Sequence, residues 1–328
     1  MNTRISQYFT KPSWKEIFAI FLLVSCLFML LPQYAYAFGL DDVTNWLKDT
    51  ILKPCIENLL NSSSSMLASV GTDNLLTGNF GSLFTNGTGK DQIWNVINKV
   101  HQSFVVPVGH SLLAAAILVQ LVKISQKVDA NATLPTVKEI MILVVFFVVF
   151  SFMINHGPQI CEGIYNTIND ITKGITTSEQ VKEAVKLGNT DNADLAMMVL
   201  VILMSSLIWF SSLVAAVVAY VMAAARALQL YVMSVFSPIP FALLGFEETR
   251  SMGINYIKVF AAVCLAGAIL AFLIAIFPIL YTNLIASNTL FNDSGVDAGV
   301  FIKAIAVPVL AILAMVKSGS WARDILGG

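Results

Sequence analysis

Residues 195–236 read LAMMVLVILMSSLIWFSSLVAAVVAYVMAAARALQLYVMSVF, an apolar run in which Arg226 is the only charge. A helix that is hydrophobic on every face belongs in lipid or deep inside protein. A membrane helix needs about 20 apolar residues, with 17–25 the common range. This run is too long for one upright span. It predicts a strongly tilted helix, or a span that emerges and continues along the membrane surface. Composition agrees with a membrane chain: of 328 residues, 57% are apolar and 12% charged, with a mean hydropathy of +0.77. A soluble domain carries about 25% charge. The net charge of −1 argues against nucleic-acid binding by bulk electrostatics, which needs a clustered basic face.

The first apolar run, 17–39, follows Arg4, Lys11 and Lys15 and ends in Pro32 and Ala35-Tyr36-Ala37. This pattern predicts a secretory signal peptide over 1–37, cleaved before Phe38, with an uncleaved anchor as the alternative. LVSC at 23–26 resembles a lipoprotein cleavage box at Cys26, but apolar residues follow it where a lipoprotein turns polar. Residues 38–104 then form an extracytoplasmic helical segment and 105–328 a membrane domain. Its five spans are expected near 105–122, 139–155, 195–220, 258–282 and 301–316. The fold class expected is an all-α, polytopic helical membrane protein with about five transmembrane helices and a small helical extracytoplasmic part.

Basic residues orient it. The segments 123–139, 226–258 and the tail after Val316 each carry a net charge of +1, whereas 38–104 carries −2 and 156–194 carries −3. Every arginine falls on one side, and basic residues in short loops mark the cytoplasm. Lys303 is the exception, at an outer end from which it can snorkel. The mature N-terminus is therefore expected outside a bacterial inner membrane and the C-terminus inside.

Within 41–60, Val43, Trp46, Leu47, Ile51, Cys55, Ile56 and Leu59 fall near one helical face, with Pro54 as a kink. NSSSS at 61–65 reads as a local linker, and GTDNLLTGNFGSLFTNGTGKD as loop. In the extracytoplasmic loop 156–194, Ile160, Ile164, Ile168 and Ile171 form a stripe, and Ser178-Glu179 can start a second helix ending at Gly188. These stripes serve either to pack a small cap or to dock on partner subunits or the membrane surface. Cys55 and Cys161 share the oxidising side, so a disulfide between them is one reading.

Small residues recur every fourth position at Ala215, Ala219, Ala223 and Ala227, and again at Gly267, Ala271 and Ala275, which lets helices approach closely in lipid. Isolated His101, His110 and His156, and cysteines outside any C-x-x-C pair, give metal or redox chemistry no support, so no metal and no cofactor is expected. No phosphate loop, nucleophile elbow or intramembrane carboxylate pair is visible, so catalysis is not expected either.

Between the third and fourth apolar stretches stands SPIPFALLGFEETR, a corner expected to face the cytoplasm. Pro238 and Pro240 should stop the helix and push Ser237 and Ile239 towards extended backbone. Glu247 and Glu248 precede the next helix, where its dipole favours acids. The plainer account is a stable hairpin capped by its own charges. An alanine-rich helix running into YVMSVFSPIPFALLGFEETRSMGINYIKVF resembles the core of the TrbL family, polytopic inner-membrane subunits of type IV secretion and conjugation systems. KSGSWARDILGG resembles the tail of some members.

The resemblance implies a channel or scaffold subunit that helps move DNA or protein. It would work with secretion ATPases, pilin-like and envelope-spanning components, membrane lipid and further copies of itself, and meet transported DNA or protein only transiently. On this reading Arg226, Pro238, Pro240, Glu247, Glu248 and Arg250 organise the inner mouth or a subunit contact, and Trp321 and Arg323 anchor the tail. The alternative is a stand-alone small-solute transporter or channel, for which Arg226 is the one intramembrane polar candidate.

Overall fold

A computed structural model describes residues 45–71, 73–84, 92–131, 137–177, 195–286, 291–292, 295–296 and 298–327. The leader, with its cleavage readings at Ala37 and Cys26, and the helix expected from Ser178 lie outside the described residues. In chain order the helices are α1 (Lys53–Gly71), α2 (Asn74–Thr77), α3 (Gln92–Val100), α4 (Val106–Asn131) and α5 (Val137–Asn155). Then come α6 (Gly157–Thr177), α7 (Leu195–Phe236), α8 (Pro238–Leu243), α9 (Arg250–Ala286) and α10 (Ala298–Ile325). π-helical turns at Lys48–Leu52 and His101–Val105 lead into α1 and α4, and a 3-10 turn covers Phe80–Ser82. A two-residue antiparallel bridge, Phe291 opposite Val296, joins α9 to α10.

The chain is an all-α polytopic helical protein. Four described segments have the length and apolar content to cross a bilayer: Gln92–Gln126, Ala196–Phe236, Arg250–Tyr281 and Gly299–Ile325. A fifth is the pair α5 and α6, bent by 72° between Asn155 and Gly157. The long apolar run is one helix: the 42 residues of α7 extend about 63 Å at 1.5 Å per residue, twice the hydrocarbon thickness of about 30 Å.

α7, α9 and α10 make the central body. Ala215, Ala219, Ala223 and Ala227 of α7 are all buried, as are Ala271 of α9 and Ala304 and Ala311 of α10. Alanine at the contacts brings backbones close, so packing substitutes for a hydrophobic drive that lipid does not supply. α1 lies along α7 and α9 and buries Ile56, Leu60 and Leu67. At its end a Cβ on Gly71 would come within 2.9 Å of Ile274 Cγ2.

From here the chain follows the body towards the end of α7. Leu75 and Leu76 lie beside Ala223 and Ala227. Phe80 packs on Tyr231, His101 bonds to the Val235 carbonyl, and Lys123 meets Glu248. α1, α2, the 3-10 turn, α3 and α4 thus form a single broken passage. α5 and α6 run back, with Cys161 beside Tyr256 and Tyr165 beside Cys264.

The interruption departs from the sequence expectation. NSSSS is not a linker but the middle of α1. Ser62 and Ser63 donate to the Leu59 carbonyl, Ser64 to Asn61 and Ser65 to Ser62, so each hydroxyl finds its partner within the helix. The stretch read as plain loop carries α2 and the 3-10 turn, and it buries Leu75, Leu76, Phe80 and Leu83. No local period announces it, because its partners are remote. Pro54 falls in the first turn of α1, after the π-helical turn, where its missing N–H removes little. On α6 the buried face is Cys161, Tyr165, Asn169 and Thr172, one position on from the isoleucine stripe, which leaves Ile171 exposed.

Phe80 is fully buried, with ring centroids of Tyr165, Trp94, Tyr231 and Phe260 at 5.1, 5.2, 5.7 and 6.4 Å. Phe80→Ala should cost about 3–5 kcal/mol and lower the melting temperature of detergent-solubilised protein by several degrees. An unchanged melting curve would show that the broken passage is not packed as described.

Candidate functional site

The corner begins where α7 ends. Ser237 is helical, at φ −55° and ψ −30°, and Ile239 lies within α8, so neither is extended as the prolines suggested. Pro238 stands at the first helical position and Pro240 within the same turn, where backbone N–H groups have no intrahelical acceptor in any case. The Pro-x-Pro pair therefore starts a helix as much as it stops one. Ser237 Oγ donates to the Ser234 carbonyl at 2.8 Å, which holds the junction closed.

α8 is buried between α4 and α5. Phe241 and Ala242 are fully covered and cluster with Leu113, Ala116 and Ile154. A Cβ on Gly109 would stand 2.8 Å from Pro238 Cβ, and one on Gly253 2.5 Å from Leu244 Cγ. Thr249 Oγ1 donates to the Leu243 carbonyl at 2.9 Å and closes the turn into α9. Tyr256 Oη donates to the Met233 carbonyl at 2.7 Å and ties α9 to the end of α7.

Glu248 pairs with Lys123 of α4, while Glu247 and Arg250 are exposed. With the two partners 56% and 40% exposed, such a pair contributes about 0–1 kcal/mol. Its value is positional, since it holds Lys123 of α4 against the corner.

The expected site residues therefore divide. Pro238, Pro240, Glu247, Glu248 and Arg250 share the corner. Arg226 does not: it is buried in the body, with Nη2 donating to Ser318 Oγ of α10 at 2.8 Å. Trp321 and Arg323 stand exposed on α10, and Arg323 lines the same cavity as Arg226. Gly267 has nothing within 4 Å of where a Cβ would be, and Ala275 is half-buried. Cys55 is exposed on α1, whereas Cys161 is buried 3.7 Å from Tyr256 Oη. Both thiols are free, so the Cys55–Cys161 bond is not formed.

Two residues escaped the sequence reading. His101 is buried where the π-helical turn meets the corner, and its Nδ1 donates to the Val235 carbonyl at 3.1 Å. Gly157 occupies the bend between α5 and α6, where a Cβ would fall 2.1 Å from Ser237 Oγ and 3.4 Å from His101 Cε1. The Gly157-Pro158 step between two apolar stretches is the signal that marks the bend. Chemically, the corner is a joint that locks four chain segments by packing and backbone acceptors. Among the described residues no group of three His, Cys, Asp or Glu side chains could hold a metal ion.

A family model described as TrbL/VirB6 plasmid conjugal transfer like protein matches residues 19–325. No curated protein matches the chain.

Gly157→Ala should destabilise by about 1–3 kcal/mol through overpacking. Gly163→Ala on the same helix, where nothing lies within 4 Å, should be neutral or stabilise by up to about 1 kcal/mol. Melting curves of the two variants in detergent check the contrast, and equal shifts would contradict it.

Proposed function

The chain belongs to the TrbL/VirB6 plasmid conjugal transfer like family, and from that premise we propose that it is a non-enzymatic channel or scaffold subunit of a type IV secretion apparatus. The match over 19–325 carries this reading, because it covers the whole helical body and not the corner alone. We place the subunit in the inner membrane with its mature N-terminus outside and its C-terminus in the cytoplasm.

Basic residues at one end of the molecule support that orientation. Lys123 of α4 and Glu248 of the corner meet, and Ser318 beside Arg226 carries the end of α10 the same way. These are the segments whose basic residues mark the cytoplasmic side. The β-bridge leaves α9 at its opposite end. His101 and the α5–α6 bend at Gly157, both expected outside, nevertheless meet the corner at Val235 and Ser237, so the orientation rests on the basic residues.

In this role the corner offers Glu247 and Arg250, both exposed, to secretion ATPases or other cytoplasmic components, while α8 beneath them stays rigid. A protein acting alone as a small-solute transporter would instead need a polar path at Arg226, and flux in liposomes containing this protein only would reveal it.

Charge reversal discriminates a partner contact from an internal clamp. Glu248→Lys or Arg250→Glu should lower transfer without lowering protein level, and should weaken co-purification with other secretion components. Combining Lys123→Glu with Glu248→Lys rebuilds the internal pair and should not restore transfer. Full recovery would limit Glu248 to an internal role. Unchanged transfer in both single variants would remove the corner from the function.

A further inference from the structure

Between α7, α9 and α10 lies a cavity of about 210 Å³ with Arg226, Gln229 and Arg323 on its wall and Gly319 opening the α10 side. That is far above the roughly 10–15 Å³ that one water requires. The rest of its lining is apolar, including Met222, Ala262 and Ala266.

Arg226 is 92% buried, counting its 8% exposure. Nη2 bonds to Ser318 Oγ, but Nη1 is buried without a hydrogen-bond partner. Ser318 is neutral and donates its own hydrogen bond to the Met315 carbonyl at 2.6 Å, so it supplies no counter-charge. Among the described residues the one ion pair within 4.0 Å is Lys123–Glu248, which leaves both arginines of this cavity without a carboxylate. No lining residue is acidic.

A buried cation in an apolar bundle is costly unless something compensates it, and intramembrane charge marks a site by default. Arginine stays protonated and presents a planar fork that matches phosphate geometry. A second cation at the rim and an amide donor complete a set of donors around apolar walls.

We infer that this cavity binds a phosphate-bearing anion, held by Arg226 from inside, Arg323 at the rim and Gln229 between. The apolar wall suits the glycerol and acyl part of an anionic phospholipid, and basic pockets between membrane helices recognise such headgroups. Free phosphate offers the same oxygen atoms. A second, smaller cavity on the α6 side of Arg226 contains Asn169, whose Oδ1 is also unpartnered. At about 20 Å³ it has room for water rather than for a phosphate group.

The inference stands independently of the role in transfer. Full-length protein, delipidated in mild detergent, is titrated with phosphatidylglycerol, phosphatidylethanolamine or inorganic phosphate, and read by native mass spectrometry and thermal shift. Wild type should retain phosphatidylglycerol over phosphatidylethanolamine. Arg323→Gln, which alters an exposed rim residue and spares the fold, should weaken retention about tenfold, the scale of one charge-assisted hydrogen bond. Arg226→Gln should weaken it further, and Arg323→Lys should recover part of it.

A melting shift with inorganic phosphate that Arg323→Gln removes, with no preference between lipids, supports the anion site and assigns it to free phosphate. Equal retention of both lipids in wild type and Arg323→Gln, with no phosphate shift, overturns the site and leaves a hydrated cavity.

Discussion

A chain that breaks its helix inside an apolar bundle must find new partners for every backbone group it exposes, because neither lipid nor apolar side chains will supply them. The break between α1 and α3 meets this constraint with side chains from remote parts of the sequence. Tyr165 Oη donates to the Gly78 carbonyl at 2.9 Å, and Asn169 Nδ2 donates to the carbonyls of Thr77 and Gly78 at 3.3 and 3.0 Å. Tyr231 Oη accepts from the Leu83 N–H at 3.2 Å. The tyrosines that satisfy this backbone also wrap Phe80, so packing and hydrogen bonding converge on one point. α6 exposes polar Asn166 and Asp170 on its outer side, and Tyr165 and Asn169 add polar groups to its buried face where the broken chain lies.

The corner is the second joint, and it depends on the first. Only after the passage through the core does α3 arrive beside Tyr231 and continue, through His101, to Pro238 and α8. Close approach is permitted by glycine at Gly109, Gly157 and Gly253, each facing the corner. The result is two apolar clusters, one in the body and one around α8, that meet at the end of α7. Glu247, Glu248 and Arg250 are left exposed outside this packed junction.

Much of this was legible in the sequence. Apolar runs disclosed the helices, alanine spacing on α7 disclosed its buried face, and the corner disclosed the family. What stayed hidden has a common cause. Helix periodicity reports contacts made by one continuous element, whereas residues 73–84 are fixed by Tyr165, Asn169 and Tyr231, whose relation to them exists only in three dimensions. Serines 62–65 look like a linker by composition but satisfy themselves inside a helix. Ser237 and Ile239 look extended by proline chemistry, yet the prolines fall where a helix starts. Arg226 precedes the corner on α7 but stands about three helical turns behind it in space.

Amide hydrogen exchange across residues 75–83 tests the central claim most directly, because these amides lie in short turns that would exchange within seconds if they faced water. The structure requires protection comparable to that of α7 and α9, with the Leu83 amide losing protection when Tyr231 becomes phenylalanine. Rapid exchange throughout 75–83 in the folded protein would mean that the chain break lies outside the bundle and that the broken passage does not exist.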